Sequence, residues 1–402
     1  MRRFSWTMKR MTALTFDVPA PTGPDRTGTS AMHLVDSTRS DASAPSGQRE
    51  LMVNVWYPAE PDARGEVARY MPPKQALAWD EDTRLSGDLG ASAGFVDLPE
   101  VRTHSLIDVP VRPGAHPVVL FSPGYYHSRF QNTAHIEELA SHGYIVVAMD
   151  HTHETPVEFP GGRLVPGTGE PIATTPTYRS AIAARVADTR FVLDQLAGFR
   201  DGVAADADGK QLPPGLAAAL DLERTGMFGF SAGGYTTARA MFVDLRIAAG
   251  ANLDGTLADD KLESPTSEIS ERGLDRPLLL FGSDGSQRLA DPNDREHYDL
   301  SWVHFWKSHQ SWKLNLQLPG AKHIAFTDLL YVYADLLRQL VPNDLELRQL
   351  ASNRTLGTVD PARGLAAQRA YLTAYFDQVL RHNPSPLLNG PSADFPEITF
   401  VP

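Results

Sequence analysis

Cysteine is absent from the 402 residues. That excludes disulfides, a thiolate nucleophile and any zinc site built on sulfur, and it fits a reducing compartment. Long apolar runs are missing too: no stretch approaches the roughly 18 residues that a membrane-spanning helix needs. The opening "MRRFSWTMKRMTALTFDVPAP" is basic but has no apolar segment of about 7–15 residues, so no secretory signal is expected and the chain as written reads as cytoplasmic. Basic charge is in deficit, with 37 Lys and Arg against 49 Asp and Glu and a net charge of −12. Nucleic acid is therefore not an expected partner, because nothing is left over to neutralise phosphates. No internal repeat is visible. What remains is a chain that is 42% hydrophobic and 21% charged, enough for a large core and one large domain with insertions.

Short apolar runs ending in Gly, Asp or Ser alternate with helical patterns. "LMVNVWYP" (Leu51 to Pro58) and "WKLNLQLPG" (Trp312 to Gly320) alternate as half-buried strands do. The nearly continuous runs are "HPVVLFSPG" (from His116), "YIVVAMDH" (from Tyr144), "TGMFGFS" (from Thr225), "RIAAGANLDG" (from Arg246) and "RPLLLFGSDG" (from Arg276). Such runs suit parallel strands covered on both faces. Helical spacing marks "NTAHIEELASHG", "TYRSAIAARVADTRFVLDQLAGF", "TDLLYVYADLLRQL" and "PARGLAAQRAYLTAYFDQVLRH". The expectation is an α/β fold with a mostly parallel, doubly wound sheet. Residues 1–16 read as a flexible tail and 17–402 as a single domain, with insertions around 60–105 and 155–176 placed to cap the C-terminal edge of the sheet, where sites of such folds lie. Residues 200–215 read as a loop.

One stretch carries chemistry. Gly229-Phe230-Ser231-Ala232-Gly233 is G-x-S-x-G, preceded by an apolar strand and followed by a helical run. The pattern needs glycines because the serine must occupy a strained strand-to-helix turn, and a side chain at 229 or 233 would meet the neighbouring strand or helix. The bland alternative is a glycine-rich turn with an inert serine. A serine hydroxyl needs a histidine to take its proton, and that histidine needs an acid to hold its tautomer. Of 13 histidines, His323 in "LPGAKHIAFTD" follows the last strand-like run. His297, His304 and His309 precede that run, in a helical, aromatic-rich segment, and read as packing or surface residues. Asp254 and Asp284 each end a strand after the nucleophile helix, and pattern alone does not separate them. The two oxyanion donors expected are the backbone N–H groups of Ala232, after the nucleophile, and Tyr125, in the loop "FSPGYYHSRF".

These residues are familiar together. The chain resembles the plasma-type, isoform II platelet-activating-factor acetylhydrolase family of α/β hydrolases and its bacterial lipase-like and esterase-like members. The resemblance runs from about residue 17 onward, through "APTGPDRTGTSAMHLVDSTR", "RELMVNVWYPAE", "PVVLFSPGY", "ELASHGYIVVAMDHTHE", "MFGFSAGG", "NLDGTL" and "PGAKHIAFTD". It implies an α/β-hydrolase fold, Ser231 as nucleophile, Asp254 rather than Asp284 as the acid, His323 as base, and Tyr125 and Ala232 as oxyanion donors. It further implies a serine carboxyl-ester hydrolase for short acyl groups of the acetyl type, including those of phospholipid analogues, acting through an acyl-enzyme. The alternatives are a lipase or cutinase-like polyester hydrolase and, in another class, a non-catalytic ligand-binding protein. The expected partner is a small-molecule or lipid ester; no organic cofactor or metal is expected, and the oligomeric state is left open. Tyr126, His151 and Trp302 are candidate pocket residues. His151 and His153, with Glu154, form an H-x-H group better read as a strand-end polar cluster than as metal ligands.

Overall fold

The structure is a computed structural model, described here for residues 13–83, 85–88, 94–168, 174–259, 266–284 and 299–402. Its strands are β1 (Thr27–Ser40), β2 (Gln48–Pro58), β3 (Val67–Arg69), β4 (Arg102–Ile107), β5 (His116–Ser122), β6 (Ile145–Met149), β7 (Val157–Phe159), β8 (Arg163–Val165), β9 (Leu220–Phe230), β10 (Ile247–Leu253), β11 (Leu278–Ser283), β12 (Lys313–Leu318) and β13 (Thr399–Phe400). Its helices are α1 (Pro73–Thr83), α2 (Leu85–Asp88), α3 (Thr133–Ser141), α4 (Thr175–Arg200), α5 (Leu216–Ala219), α6 (Ala232–Val243), α7 (Glu268–Arg272), α8 (Leu300–Ser308), α9 (Leu329–Leu340), α10 (Leu345–Thr355) and α11 (Pro361–Leu380).

Eleven strands form one sheet in the order β13-β12-β11-β10-β9-β5-β6-β2-β1-β4-β3. The run from β12 to β6 is parallel throughout. Every residue of β5, β6 and β11 is buried, because helices cover both faces and leave no side of these strands for water. One core lies under α3, α9 and α11, where Tyr371, Tyr375 and Phe376 are wholly buried. The other lies under α4, α6, α7 and α8. The fold is thus mostly parallel and doubly wound, as the apolar runs imply.

The chain leaves β5 through α3 to reach β6 on one side, then crosses by α4 to β9 on the other. The C-terminal ends of β5 and β9 are therefore a topological switch point, where the following loops diverge and leave a crevice. Both loops that the sequence marks for chemistry, after Ser122 and after Phe230, start there.

The expected flexible tail needs correction at its end. Leu14 exchanges backbone hydrogen bonds with Phe95 and Asp97, and Leu14 and Phe16 are buried. Phe16 stacks edge-on against Tyr70 and Tyr331; two large apolar side chains in reach of a core do not stay in water. Residues 1–12 lie outside the described residues. The stretch 60–105 builds β3, α1, α2 and β4, and 155–176 builds the β7–β8 hairpin. The two touch: the Glu158 carboxylate accepts from the Lys74 and Gln75 N–H groups at 2.7 and 3.1 Å, meeting the unpaired donors at the start of α1.

Candidate active site

Ser231 sits between β9 and α6 with φ 54° and ψ −119°, a conformation that costs a non-glycine residue about 1–3 kcal/mol. Its N–H donates to the Leu253 carbonyl at 2.9 Å, which ties the elbow to β10. The glycines answer to space. A Cβ on Gly229 would lie 2.2 Å from the Gly233 oxygen, and one on Gly233 would lie 1.9 Å from the Ser122 oxygen.

The imidazole of His323 lies between this serine and a carboxylate. Nε2 is 2.9 Å from Ser231 Oγ, and Nδ1 is 2.6 Å from Asp254 Oδ2. A carboxylate only accepts, so Nδ1 carries the proton and Nε2 presents its lone pair to the hydroxyl. The Phe230 ring lies 4.6 Å from the imidazole and supports its face. The His323 side chain is half exposed, whereas Asp254 is sealed off. Asp254 also accepts from the Ser283 N–H at 2.6 Å and the Ser283 hydroxyl at 2.9 Å, so three donors fix its plane. Asp284, the rival acid, instead accepts from the Gly320 N–H at 3.2 Å.

The loop after β5 lies across the elbow. A Cβ on Gly124 would lie 2.8 Å from the Phe230 ring, so only glycine lets this loop approach so closely. Tyr125 and Tyr126 stack edge to face at 4.5 Å, and Tyr126 reaches solvent. His127 Nδ1 donates to the Tyr125 carbonyl at 3.0 Å; withdrawal from water pushes its pKa down to about 4, which leaves it neutral.

Two of the pocket candidates face the interior instead. Trp302 is wholly buried and its indole N–H donates to the Gly255 carbonyl at 2.8 Å, bracing the Asp254 turn. His151 is buried beneath the loop after β5, with Nε2 2.9 Å from Ser122 Oγ and Nδ1 2.9 Å from Asp188 Oδ2. Polar ends that find such partners inside do not reach a substrate. His153 turns away to Asp41 at 2.7 Å. His309 is buried and accepts from the Leu274 N–H, while His297 lies outside the described residues.

A cavity of about 1010 Å³ opens beside His323. Tyr126 and His127 line one side, Trp79 and Leu85 another, and Leu337 and Leu350 of α9 and α10 form an apolar wall. Sequence reasoning missed Ser283, Asn252, Arg185 and His127. Of these, only Ser283 carried a signal, as the last residue of a strand beside an acid-bearing one.

Comparison with known proteins places this chain among esterases. The platelet-activating factor acetylhydrolase, isoform II, family profile matches residues 17–157. A protein of Arthroderma benhamiae described as a probable 1-alkyl-2-acetylglycerophosphocholine esterase is 28% identical over 404 residues, covering 96% of this chain and 94% of its own. The solved structure of a ferulic acid esterase from Streptomyces cinnamoneus is similar with a TM-score of 0.74 and 35% identity, over 97% of this chain and 100% of that one. The mostly parallel sheet and its helices are those of the α/β hydrolases.

Proposed function

We propose that this ester-hydrolysing chain is a member of the platelet-activating factor acetylhydrolase, isoform II, family of α/β hydrolases, with Ser231 its nucleophile, His323 its base and Asp254 the acid that orients the base. One observation carries this reading: an unbroken hydrogen-bonded chain from a half-buried elbow serine, through an imidazole, to a buried carboxylate. Ser231 Oγ attacks the ester carbonyl as His323 Nε2 takes its proton. Asp254 keeps Nδ1 protonated and steadies the imidazolium. The developing oxyanion is received by the N–H groups of Tyr125 and Ala232, each such donor being worth about 10²–10³ in kcat. His323 then hands its proton to the departing alkoxide. Water, deprotonated by the same nitrogen, releases the acid from the acyl-enzyme.

The substrate class follows from where the cavity lies. The imidazole must protonate the leaving oxygen, so the space beside His323 receives the alcohol. Its volume is generous for a small-molecule site, and its leucine wall suits a long alkyl or lipid-like alcohol. The acyl group is short, of the acetyl type; the fungal relative is named for an acetyl ester of an alkylglycerophosphocholine. The stretches 60–105 and 155–176 act together as the cap of a single hydrolase unit, since Trp79 and Leu85 wall the cavity and Glu158 holds α1. A second reading, hydrolysis of larger or aromatic acyl esters, is favoured by the similarity to a ferulic acid esterase.

The test is nitrophenyl acetate turnover with pre-steady-state resolution. A product burst lost in Ser231→Ala supports the mechanism, and turnover that survives the substitution overturns it. Acetyl, octanoyl and feruloyl esters of one alcohol then separate the two substrate readings.

A further inference from the structure

Beneath the oxyanion loop lies a second hydrogen-bonded set, sealed from solvent. Arg185, on α4, has a wholly buried side chain. Its Nη1 donates to the Pro123 carbonyl at 2.6 Å and to Ser122 Oγ at 3.4 Å, and its Nη2 donates to the Gly124 carbonyl at 3.0 Å. Nε and Nη2 also engage the Glu154 carboxylate, Nε at 2.8 Å. All five donors of the guanidinium are used. Ser122, accepting from Arg185, donates its own hydroxyl hydrogen bond to His151 Nε2, and His151 Nδ1–H donates to Asp188. Asp188 is anchored in turn by Arg49 and Arg39, each at 2.7 Å. The polarity runs one way: arginine to serine to neutral histidine to carboxylate. It repeats the connectivity of Ser231, His323 and Asp254 where no substrate can reach.

We infer that Arg185 is a positioning residue for the oxyanion hole, acting through the peptide bond between Gly124 and Tyr125. That bond is trans and planar, so its C=O and N–H point in opposite directions. Holding the Gly124 oxygen on one side fixes the aim of the Tyr125 N–H on the other. The loop is pinned against the elbow at the same place, with Gly124 over Phe230 and the Ser122 oxygen over Gly233. A charge-assisted bond to the carbonyl also draws electron density from the amide and makes its N–H a stronger donor. The His127 N–H donates to the same Gly124 oxygen at 3.1 Å, which adds to the pull. The Ser122–His151–Asp188 chain keeps the serine oxygen turned toward Arg185 and so keeps the clamp in register.

The inference rests on Tyr125 N–H being an oxyanion donor, and the experiment separates the two. Arg185→Gln and Arg185→Lys are compared with the wild-type chain and with a chain carrying the α-hydroxy-acid analogue of tyrosine at 125, which replaces that N–H by oxygen. The readouts are kcat and KM for nitrophenyl acetate per active site titrated with a fluorophosphonate, and the inhibition constant of a trifluoromethyl ketone, whose serine adduct places an oxyanion in the hole. The expected result for Arg185→Gln is a kcat about 10- to 100-fold lower, with KM within about threefold and ketone affinity weakened by the same factor as kcat. Arg185→Lys, which keeps the charge and loses the fork, falls between and serves if the Gln variant does not fold. Unchanged kcat and ketone affinity overturn the inference, as does a loss explained by fewer active sites with the ketone-to-substrate affinity ratio intact. If the α-hydroxy analogue leaves ketone affinity unchanged, the reading of Tyr125 fails; if it weakens the ketone while Arg185→Gln does not, only the role of Arg185 fails.

Discussion

Asn252 and Gly255 are joined twice: the Asn252 side-chain oxygen accepts from the Gly255 N–H at 2.8 Å, and its nitrogen donates to the Gly255 carbonyl at 2.8 Å. This pair closes the turn that holds Asp254 at φ 55°. Asn252→Ala removes both bonds and leaves a buried N–H of Gly255 without its acceptor, a cost of about 2–3 kcal/mol. Relaxation of the turn displaces the Asp254 carboxylate from His323. The expected outcome is a lower melting temperature together with a kcat about 10- to 100-fold lower, since displacements near 1 Å at a reacting centre cost that much. Calorimetry and nitrophenyl acetate kinetics on the same preparation measure both.

The two strand-end aspartates give opposite expectations. Asp254→Asn presents an amide where His323 Nδ1–H needs an acceptor, so the imidazole takes the wrong tautomer and kcat falls by about 10⁴. Asp284→Asn alters the acceptor of the Gly320 N–H, away from the His323–Asp254 hydrogen bond, and keeps activity within about threefold. Equal losses in the two variants would refute the assignment of the acid.

The parallel strands were legible because burial on both faces forces an uninterrupted apolar run, and Ser231 because its elbow admits only glycine on either side. Which of two aspartates meets His323 was not legible from pattern. Asp254 and Asp284 end neighbouring strands and precede glycine alike, and they differ only in which way the turn aims the carboxylate. β1 is hidden because His33 and Asp36, both buried, interrupt its apolar pattern; each is satisfied by distant or local partners, His33 by Glu50 and Asp208 and Asp36 by Arg39. α10 escapes for the converse reason. Its Leu345, Leu347 and Leu350 stay exposed, with the last two lining the cavity, so no buried stripe marks the helix. Arg185 reads as one more polar position on α4, and nothing local reveals that its guanidinium meets a loop some 60 residues earlier.

Acid should destabilise the protein through His135. The side chain is buried between Asn132 and Gln368, and desolvation, with Arg369 nearby, pushes its pKa down to about 4. The unfolded chain takes up this proton near pH 6.5, and the folded chain only near 4. Between those values the unfolded state binds more protons, so stability is complete above about 6.5 and falls as pH drops toward 4, by up to about 3 kcal/mol. His135→Gln keeps a polar group and cannot titrate. Urea midpoints between pH 7 and pH 4 should fall less steeply in this variant than in the wild type, and parallel slopes would exclude His135 as the source.

Blocking the cavity tests which half of the ester it holds. Ala351 lines it from α10 and is only partly buried, so Ala351→Trp fills space there without opening the core. If the cavity takes the alcohol, a long alkyl acetate loses contacts that a methyl ester never makes. Each methylene is worth about 0.8 kcal/mol, so two or three displaced methylenes lower kcat/KM by about 15- to 60-fold. Methyl acetate should change little, and so should a series of methyl esters with lengthening acyl chains. The opposite pattern, with long acyl chains penalised and long alcohols spared, would place the acyl group beside His323. That arrangement would leave the departing alkoxide on the far side of the imidazole that must protonate it, so the outcome bears on the proton path as well as on the substrate.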